Sequence, residues 1–301
     1  MKDCSLPQLD TVHALFKAAE ETGGTIPRSE EFLQELGKVF KFSDFVAKSC
    51  IRDPQTLIDL IESGDLHRSC SVEYHRRRLE VELSSIDTEQ ELTTALRQIR
   101  RREMVRIAWR DLAGLATLDE TTTDLSSFAD ACVEYALNFL YRHHCESHGI
   151  PTGRNGSHQH LVVLGMGKLG ACELNFSSDI DLIFAYPEPG ETQGGPRPRT
   201  NDEFFIRLSR ALIKILGLLT ADGIVFRVDM GLRPFGDNGP LVMHFDAMES
   251  YYQSQGREWE RYAWIKARVI AGNKEAGNEL LTRLRPFIYR RYLDFGVFEA
   301  L

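Results

Sequence analysis

The stretch Asn175-Phe-Ser-Ser-Asp-Ile-Asp-Leu-Ile-Phe184 decides how this chain is read. Asp181-Leu-Ile-Phe-Ala-Tyr186 has the apolar, β-prone composition of a buried strand. On a strand, residues i and i+2 face the same side, so Asp179 and Asp181 are expected to point together. Two like charges this close are costly unless a cation neutralises them. Oxygen-only ligands suit Mg²⁺, which completes its shell with water and substrate phosphate.

Upstream, Leu161-Val-Val-Leu-Gly165 reads as another buried strand and leads into Gly165-Met-Gly-Lys-Leu-Gly170. That loop matches G-x-G-x-x-G, the dinucleotide fingerprint, and Glu188 lies near the spacing of a ribose-binding acid. The spacing argues against this reading. A dinucleotide fold needs a crossover of at least about 10–12 residues before the next strand. Only Ala171 to Ser178 separate Gly170 from Asp179, and Asn175 and two serines there are poor helix-interior residues. One or two helical turns is the most this segment can form. No G-K-[ST] follows, so the loop is not a P-loop either. A glycine turn opening a short helix still offers backbone N–H groups to phosphate, beside strand carboxylates that hold metals. Gly165, Gly167, Lys168 and Ser178 are the candidate nucleotide or phosphate contacts.

Downstream, Val225-Phe-Arg-Val-Asp-Met230 reads as a third strand carrying a lone acidic charge, Asp229. It completes a candidate metal-binding and catalytic triad with Asp179 and Asp181. Two metal ions about 3.5–4 Å apart would clamp an in-line displacement at phosphorus. Arg233, after this strand, is a further candidate for the nonbridging oxygens.

Around this core, residues 1–155 read as a helical N-terminal region, with long helices expected over Thr88–Leu118 and Thr123–His148 and a turn at Asp119-Glu-Thr-Thr-Thr. Pro151 to Ser157 reads as a loop. Residues 156–245 form the strand-containing core. Within it, Pro187 to Thr200, with four prolines and three glycines, reads as a mobile surface loop, and Phe204 to about Thr220 as a helix. Residues 246–301 read as helical and truncated.

The bulk composition sets limits. The 301 residues carry 36 basic and 44 acidic side chains, a net charge of -8, which argues against general nucleic-acid binding. No apolar run is long enough to span a membrane, and no signal peptide is visible after Met1. Six cysteines without a C-x-x-C pair read as reduced thiols of the cytosol.

Two basic stripes stand out. Arg257, Arg261, Trp264 and Arg268 fall on one face if helical, either a basic wall or a solvated face paired with Glu258 and Glu260. Arg102, Arg106 and Arg110 are better read as salt bridges within the helical region. His144 and His148 have i, i+4 spacing, but no third ligand of suitable spacing accompanies them, so zinc is not expected. His158 and His160 carry no expected chemistry.

These motifs resemble a bacterial family, the bifunctional glutamine synthetase adenylyltransferase/adenylyl-removing enzymes. The likeness is carried by Leu164-Gly-Met-Gly-Lys-Leu-Gly170, Glu173-Leu-Asn-Phe-Ser-Ser-Asp-Ile-Asp-Leu-Ile-Phe184 and Thr192-Gln-Gly-Gly195. It continues in Phe226-Arg-Val-Asp-Met-Gly-Leu-Arg-Pro-Phe-Gly236, Gly239-Pro-Leu-Val242 and Tyr251-Tyr-Gln-Ser-Gln-Gly-Arg-Glu-Trp-Glu-Arg-Tyr262. Phe42-Ser-Asp-Phe-Val46 and Met104-Val-Arg-Ile-Ala-Trp-Arg-Asp-Leu112 also match, so the likeness runs from about residue 40 onward. It implies an α+β chain: a helical N-terminal region, a polymerase-β-like nucleotidyltransferase sheet with flanking helices, then a helical C-terminal segment. The wording is similar to the N-terminal, AMP-removing half. The implied reaction is phosphorolytic removal of AMP from a tyrosine of glutamine synthetase, giving ADP. The alternatives are adenylylation from ATP, or a piece that only binds nucleotide or partner. The resemblance places Asp179, Asp181 and Asp229 on the family's metal carboxylates and implies two Mg²⁺ ions. Its implied partners are glutamine synthetase, the nitrogen-regulatory PII protein, ADP or ATP, and phosphate, in the cytoplasm. One departure is Gly231, where the family pattern usually has Arg; one positive charge beside the site is missing.

Overall fold

A computed structural model describes residues 6–289. Cys4 and residues 290–301 of the expected C-terminal helical segment lie outside them. The first half is helical: α1 (Leu6–Glu21), α2 (Glu30–Phe42), α3 (Asp44–Arg52), α4 (Pro54–Glu62), α5 (Val72–Glu82), α6 (Glu89–Ala113) and α7 (Leu118–His148). Then follow β1 (Ile150–Thr152), β2 (Val162–Gly165), α8 (Gly167–Gly170), β3 (Ile180–Tyr186), β4 (Glu191–Gln193), α9 (Asn201–Gly217), β5 (Val228–Asp229) and β6 (Val242–His244). α10 (Phe245–Ser254), α11 (Glu258–Ile265), β7 (Arg268–Gly272) and α12 (Lys274–Ile288) complete the described chain. The chain is α+β, as expected.

Local chemistry sets the long helices. Thr88 and Glu91 form a reciprocal capping box at the start of α6, and Gly114, in the left-handed region at φ 84°, ends it. α7 begins earlier than the expected Thr123. Thr117 caps it, and Asp119 and Glu120 lie in its first turn, where they favour the helix dipole. The acidic run read as a turn is therefore helix.

The main sheet has the order β5-β3-β2-β7, and β6 also pairs with β3. β2 runs antiparallel to both β3 and β7, while β5 and β6 run parallel to β3. β7 corrects the sequence reading: the segment after Phe245 is not wholly helical, because Arg268-Val-Ile-Ala-Gly272 returns as a strand beside β2. The third strand is shorter than expected. Only Val228 and Asp229 are extended, and the N–H groups of Val225 and Phe226 both donate to the Leu216 carbonyl instead. Nor are the two expected loops wholly loop. β1 pairs with β4, drawing Ile150–Thr152 against Glu191–Gln193.

The sheet is covered on both faces. Val163, Leu182, Phe184 and Tyr186 join a core with α5, α6, α7 and α9. Val162, Leu164, Ile183 and Ala185 pack instead under α10 to α12. A third core, with Trp109 wholly buried, ties α1–α4 to the C-terminal half of α6.

The arginine stripe of α6 is buried and paired, as expected. Arg102 bonds Asp65 at 2.7 Å, Arg106 bridges Glu103 and Asp124, and Arg110 meets Glu120 at 2.7 Å. The second stripe does not form. Arg257 caps α11, Arg261 is buried with its Nε on the Phe287 carbonyl, and Trp264 is buried. Arg268 opens β7 and pairs with Asp130 at 2.5 Å.

Candidate active site

The glycine loop resolves as its spacing requires. α8 is a single turn, and 171–179 carries no helix. β2 and β3 are antiparallel, whereas the dinucleotide unit needs parallel strands. Glu188 follows the far end of β3, away from the glycine turn. Its carboxylate accepts from the Arg154 N–H at 3.3 Å.

Asp181 belongs to β3, and Asp179 immediately precedes it. By the two-residue period both share the face of Ile183 and Ala185. In the parallel pairing of β3 with β5, Asp181 stands directly opposite Asp229. Paired strands lie only about 4.8 Å apart, so these carboxylates face each other at short range. Burial pushes the Asp181 carboxyl above its ordinary range, and the charges of Asp229 and Asp179 push it further. Both outer carboxylates thus act on Asp181.

Each outer carboxylate has a local partner. Asp179 is ion-paired with Arg227, which also donates to the Ser177 carbonyl at 2.8 Å. Asp229 accepts the Gly231 N–H at 2.6 Å. Among the described residues no three His, Cys, Asp or Glu side chains are grouped so as to hold a metal ion as they stand. The donor set nevertheless fits a hard cation. It is all carboxylate, and the like-charge repulsion that raises Asp181 is what a cation would relieve.

The glycine turn touches the carboxylates. Gly167 has φ 53°, and a Cβ there would lie 2.6 Å from Asp181 Oδ2. Only glycine supplies both the left-handed backbone and the clearance. The Gly165 backbone closes β2, and a Cβ there would meet Ile270 and Leu169. Lys168 Nζ reaches Ser178 Oγ at 3.4 Å, and Ser178 donates to Asn175 at 2.7 Å. The structure therefore brings Gly167, Lys168 and Ser178 to the carboxylates. Arg233 is different: its guanidinium is largely buried and donates to the Met230 carbonyl at 2.7 Å and to Asp237 at 3.2 Å. Its contacts hold the turn after β5 and include none of the three carboxylates.

Sequence reasoning missed Arg227. The signal was present, because Arg227 and Asp229 are i and i+2 in the strand expected over Val225–Met230. His144 and His148 are edge-to-face ring neighbours, with His144 Nδ1 within 3.0 Å of the Leu140 carbonyl. The five described cysteines are unpaired, and no described helix is long and apolar enough to cross a membrane.

Comparison with known proteins shows the family. The family model described as glutamate-ammonia ligase adenylyltransferase matches residues 33–283. Three curated relatives are each named bifunctional glutamine synthetase adenylyltransferase/adenylyl-removing enzyme. That of Pseudomonas aeruginosa is 50% identical over 99% of this chain and 32% of its own length. That of Nitrosococcus oceani is 57% identical over 89% of this chain and 28% of its own. That of Pseudomonas syringae is 58% identical over 88% and 27%. The chain thus spans less than a third of the length of these relatives.

Proposed function

Because the chain belongs to the glutamate-ammonia ligase adenylyltransferase family, we propose that its three carboxylates serve phosphorolytic removal of AMP from adenylylated glutamine synthetase. The observation that carries this reading is the register pairing of Asp181 with Asp229 beside the Gly167 turn. The likeness of Ser177-Ser-Asp-Ile-Asp181 and Leu232-Arg-Pro-Phe-Gly236 to the AMP-removing half supports the direction.

In this reaction a phosphate oxygen attacks the phosphorus of the tyrosine-linked AMP. The bond from phosphorus to the tyrosine oxygen breaks, that oxygen regains a proton, and ADP is released. Two Mg²⁺ ions held by Asp179, Asp181 and Asp229 would supply charge stabilisation at the attacking and leaving oxygens. Lys168, Ser178 and the backbone at Gly165 and Gly167 hold nonbridging oxygens. Asp179, paired with Arg227 as it stands, would be one of the ligands once that pair opens. Glutamine synthetase is the protein substrate, the nitrogen-regulatory PII protein a regulatory partner, and the cytoplasm the compartment.

The test is incubation of this chain with AMP-modified glutamine synthetase, Mg²⁺ and inorganic phosphate. The expected product is ADP. AMP transfer from ATP to the unmodified synthetase, without ADP release in the first assay, would replace this reading with the adenylylating one. Nucleotide binding with neither reaction would reduce the chain to a binding module.

A further inference from the structure

Six arginines lie on α6, and five of them have oxygen partners. Arg97 donates to the carbonyls of Thr93, Ile215, Leu218 and Gly223. Arg101 meets Asp222 at 3.0 Å, and Arg102, Arg106 and Arg110 are paired as described above. Arg100 is the exception. Among the described residues its side chain has no hydrogen bond and no ion pair, and its buried Nε is unsatisfied. Its one contact of note is with the Phe226 ring, 5.9 Å from the guanidinium carbon. Burial pushes its pKa down, and no carboxylate charge opposes that shift. Arg100 is half-buried, and a guanidinium with a buried, unsatisfied Nε and no oxygen partner leaves its donors open to an anion.

Arg100 lines a cavity of about 190 Å³ between α6, the 175–178 segment and the entry to β5. The cavity also takes Asn175, Ser177, Ser178, Phe226 and Arg227. It has two cations and no carboxylate in its lining, in a chain whose net charge is -8. A basic cavity of about 750 Å³ along α5 differs in this respect: Arg68, Arg77 and Arg78 there share the walls with Glu73 and Glu82. The smaller cavity is below the roughly 300 Å³ at which ligand pockets begin, so it suits a compact anion rather than a whole nucleotide. Its second cation, Arg227, is the partner of Asp179. An anion here therefore sits next to the carboxylates, on the side of the helical region.

We propose that this cavity is a phosphate-group subsite, with Arg100 as its principal ligand and Arg227 as its second. The group is a tetrahedral phosphate, either inorganic phosphate or the phosphate of a bound nucleotide. This deepens the phosphorolytic reading and rests on it for its place in the reaction, though not for the binding itself.

The experiment is calorimetric titration of the whole chain with inorganic phosphate and, separately, with AMP. Arg100→Met keeps the apolar stem and removes the charge; Arg100→Lys restores a point charge. Circular dichroism checks the fold of each. The expected result is at least a tenfold loss of affinity for one of the two probes in Arg100→Met, with partial recovery in Arg100→Lys. Loss confined to inorganic phosphate identifies the free ion as occupant; loss with AMP identifies the nucleotide phosphate. A folded Arg100→Met that binds both probes as tightly as the parent chain overturns the proposal. So does a parent chain that binds neither. Asp179→Asn separates the two readings: it should lose ADP release while keeping phosphate affinity. If the parent chain shows no ADP release yet phosphate binding still depends on Arg100, the reaction reading fails and the subsite stands.

Discussion

Asp181 and Asp229 are register partners across the parallel strands β3 and β5. Like charges directly opposite on a sheet cost roughly 0.2–1 kcal/mol, and here burial of Asp181 adds to the penalty. The pairing therefore makes stability and activity oppose each other. Asp229→Asn should raise stability in metal-free buffer by about 0.5–1 kcal/mol, because the side-chain amide oxygen of the variant can still accept from the Gly231 N–H. The same variant should lose ADP release entirely. Chemical denaturation in chelator and the ADP assay check the two halves. A variant that is both less stable and fully active would remove Asp229 from the site.

Gly167 holds the glycine turn clear of Asp181. Gly167→Ala combines a left-handed residue, costing about 1 kcal/mol, with a Cβ 2.6 Å from Asp181 Oδ2. Displacement of a reacting group by about 1 Å costs on the order of a hundredfold in rate. The expected outcome is a loss of that size in kcat, with a stability loss of about 1–2 kcal/mol. A fall in stability at unchanged kcat would show that the turn does not position the carboxylate.

The helical region depends on a buried ionic network. Arg106 is wholly buried and bonds Glu103 at 2.7 Å and Asp124 at 2.7 and 2.8 Å. Arg106→Met would take the shared cation from two buried carboxylates, leaving Glu103 to Arg102 at 2.8 Å and Asp124 to His75 at 2.6 Å. Breaking one side of such a network costs about 3–5 kcal/mol, well above the loss of any surface pair. Urea denaturation of the variant against the parent chain measures it. A loss under about 1 kcal/mol would mean that the network relaxes to water.

Asp65 gives this region its acid sensitivity. Burial alone would raise its carboxyl, but hydrogen bonds from Arg102 and Tyr74, with the charges of Arg102 and Arg68, hold it at about 2. The folded value lies below the unfolded one of about 3.9, so the stabilisation is full above the unfolded value. It is lost as pH falls through about 2. Asp65→Asn should therefore be less stable than the parent chain at pH 6, with the gap narrowing between pH values of about 4 and 2. A gap independent of pH would assign the effect to shape rather than charge.

The core of the site was legible because its signals are local. Strand period, two-residue spacing and the short segment after Gly170 located Asp179, Asp181 and the glycine turn. What failed depends on tertiary pairing. β7 was hidden because Arg257, Arg261, Trp264 and Arg268 fit a helical period, although the β-branched Val269 and Ile270 favoured a strand. That strand forms because β2 offers it a partner edge, which no local window contains. β5 shrank for the opposite reason: Val225 and Phe226 take Leu216 as acceptor, so apolar composition alone overestimates strand length. Arg100 was invisible as a candidate because its distinction is the absence of a partner.

Arg227 competes with any cation for Asp179. The pair is largely exposed, with side chains 63% and 43% accessible. Exposed ion pairs contribute about 0–1 kcal/mol, so the competition is weak. Arg227→Gln removes the competitor and leaves all three carboxylates. The half-saturating Mg²⁺ concentration should therefore fall, by up to about fivefold for a pair worth about 1 kcal/mol. Phosphate affinity should fall in the same variant, because Arg227 also lines the small cavity. Opposite shifts in the two titrations identify Arg227 as shared between the metal carboxylates and the anion subsite. If Mg²⁺ affinity falls as well, Arg227 supports the metal site by holding the 177–179 backbone in place, and the competition does not operate.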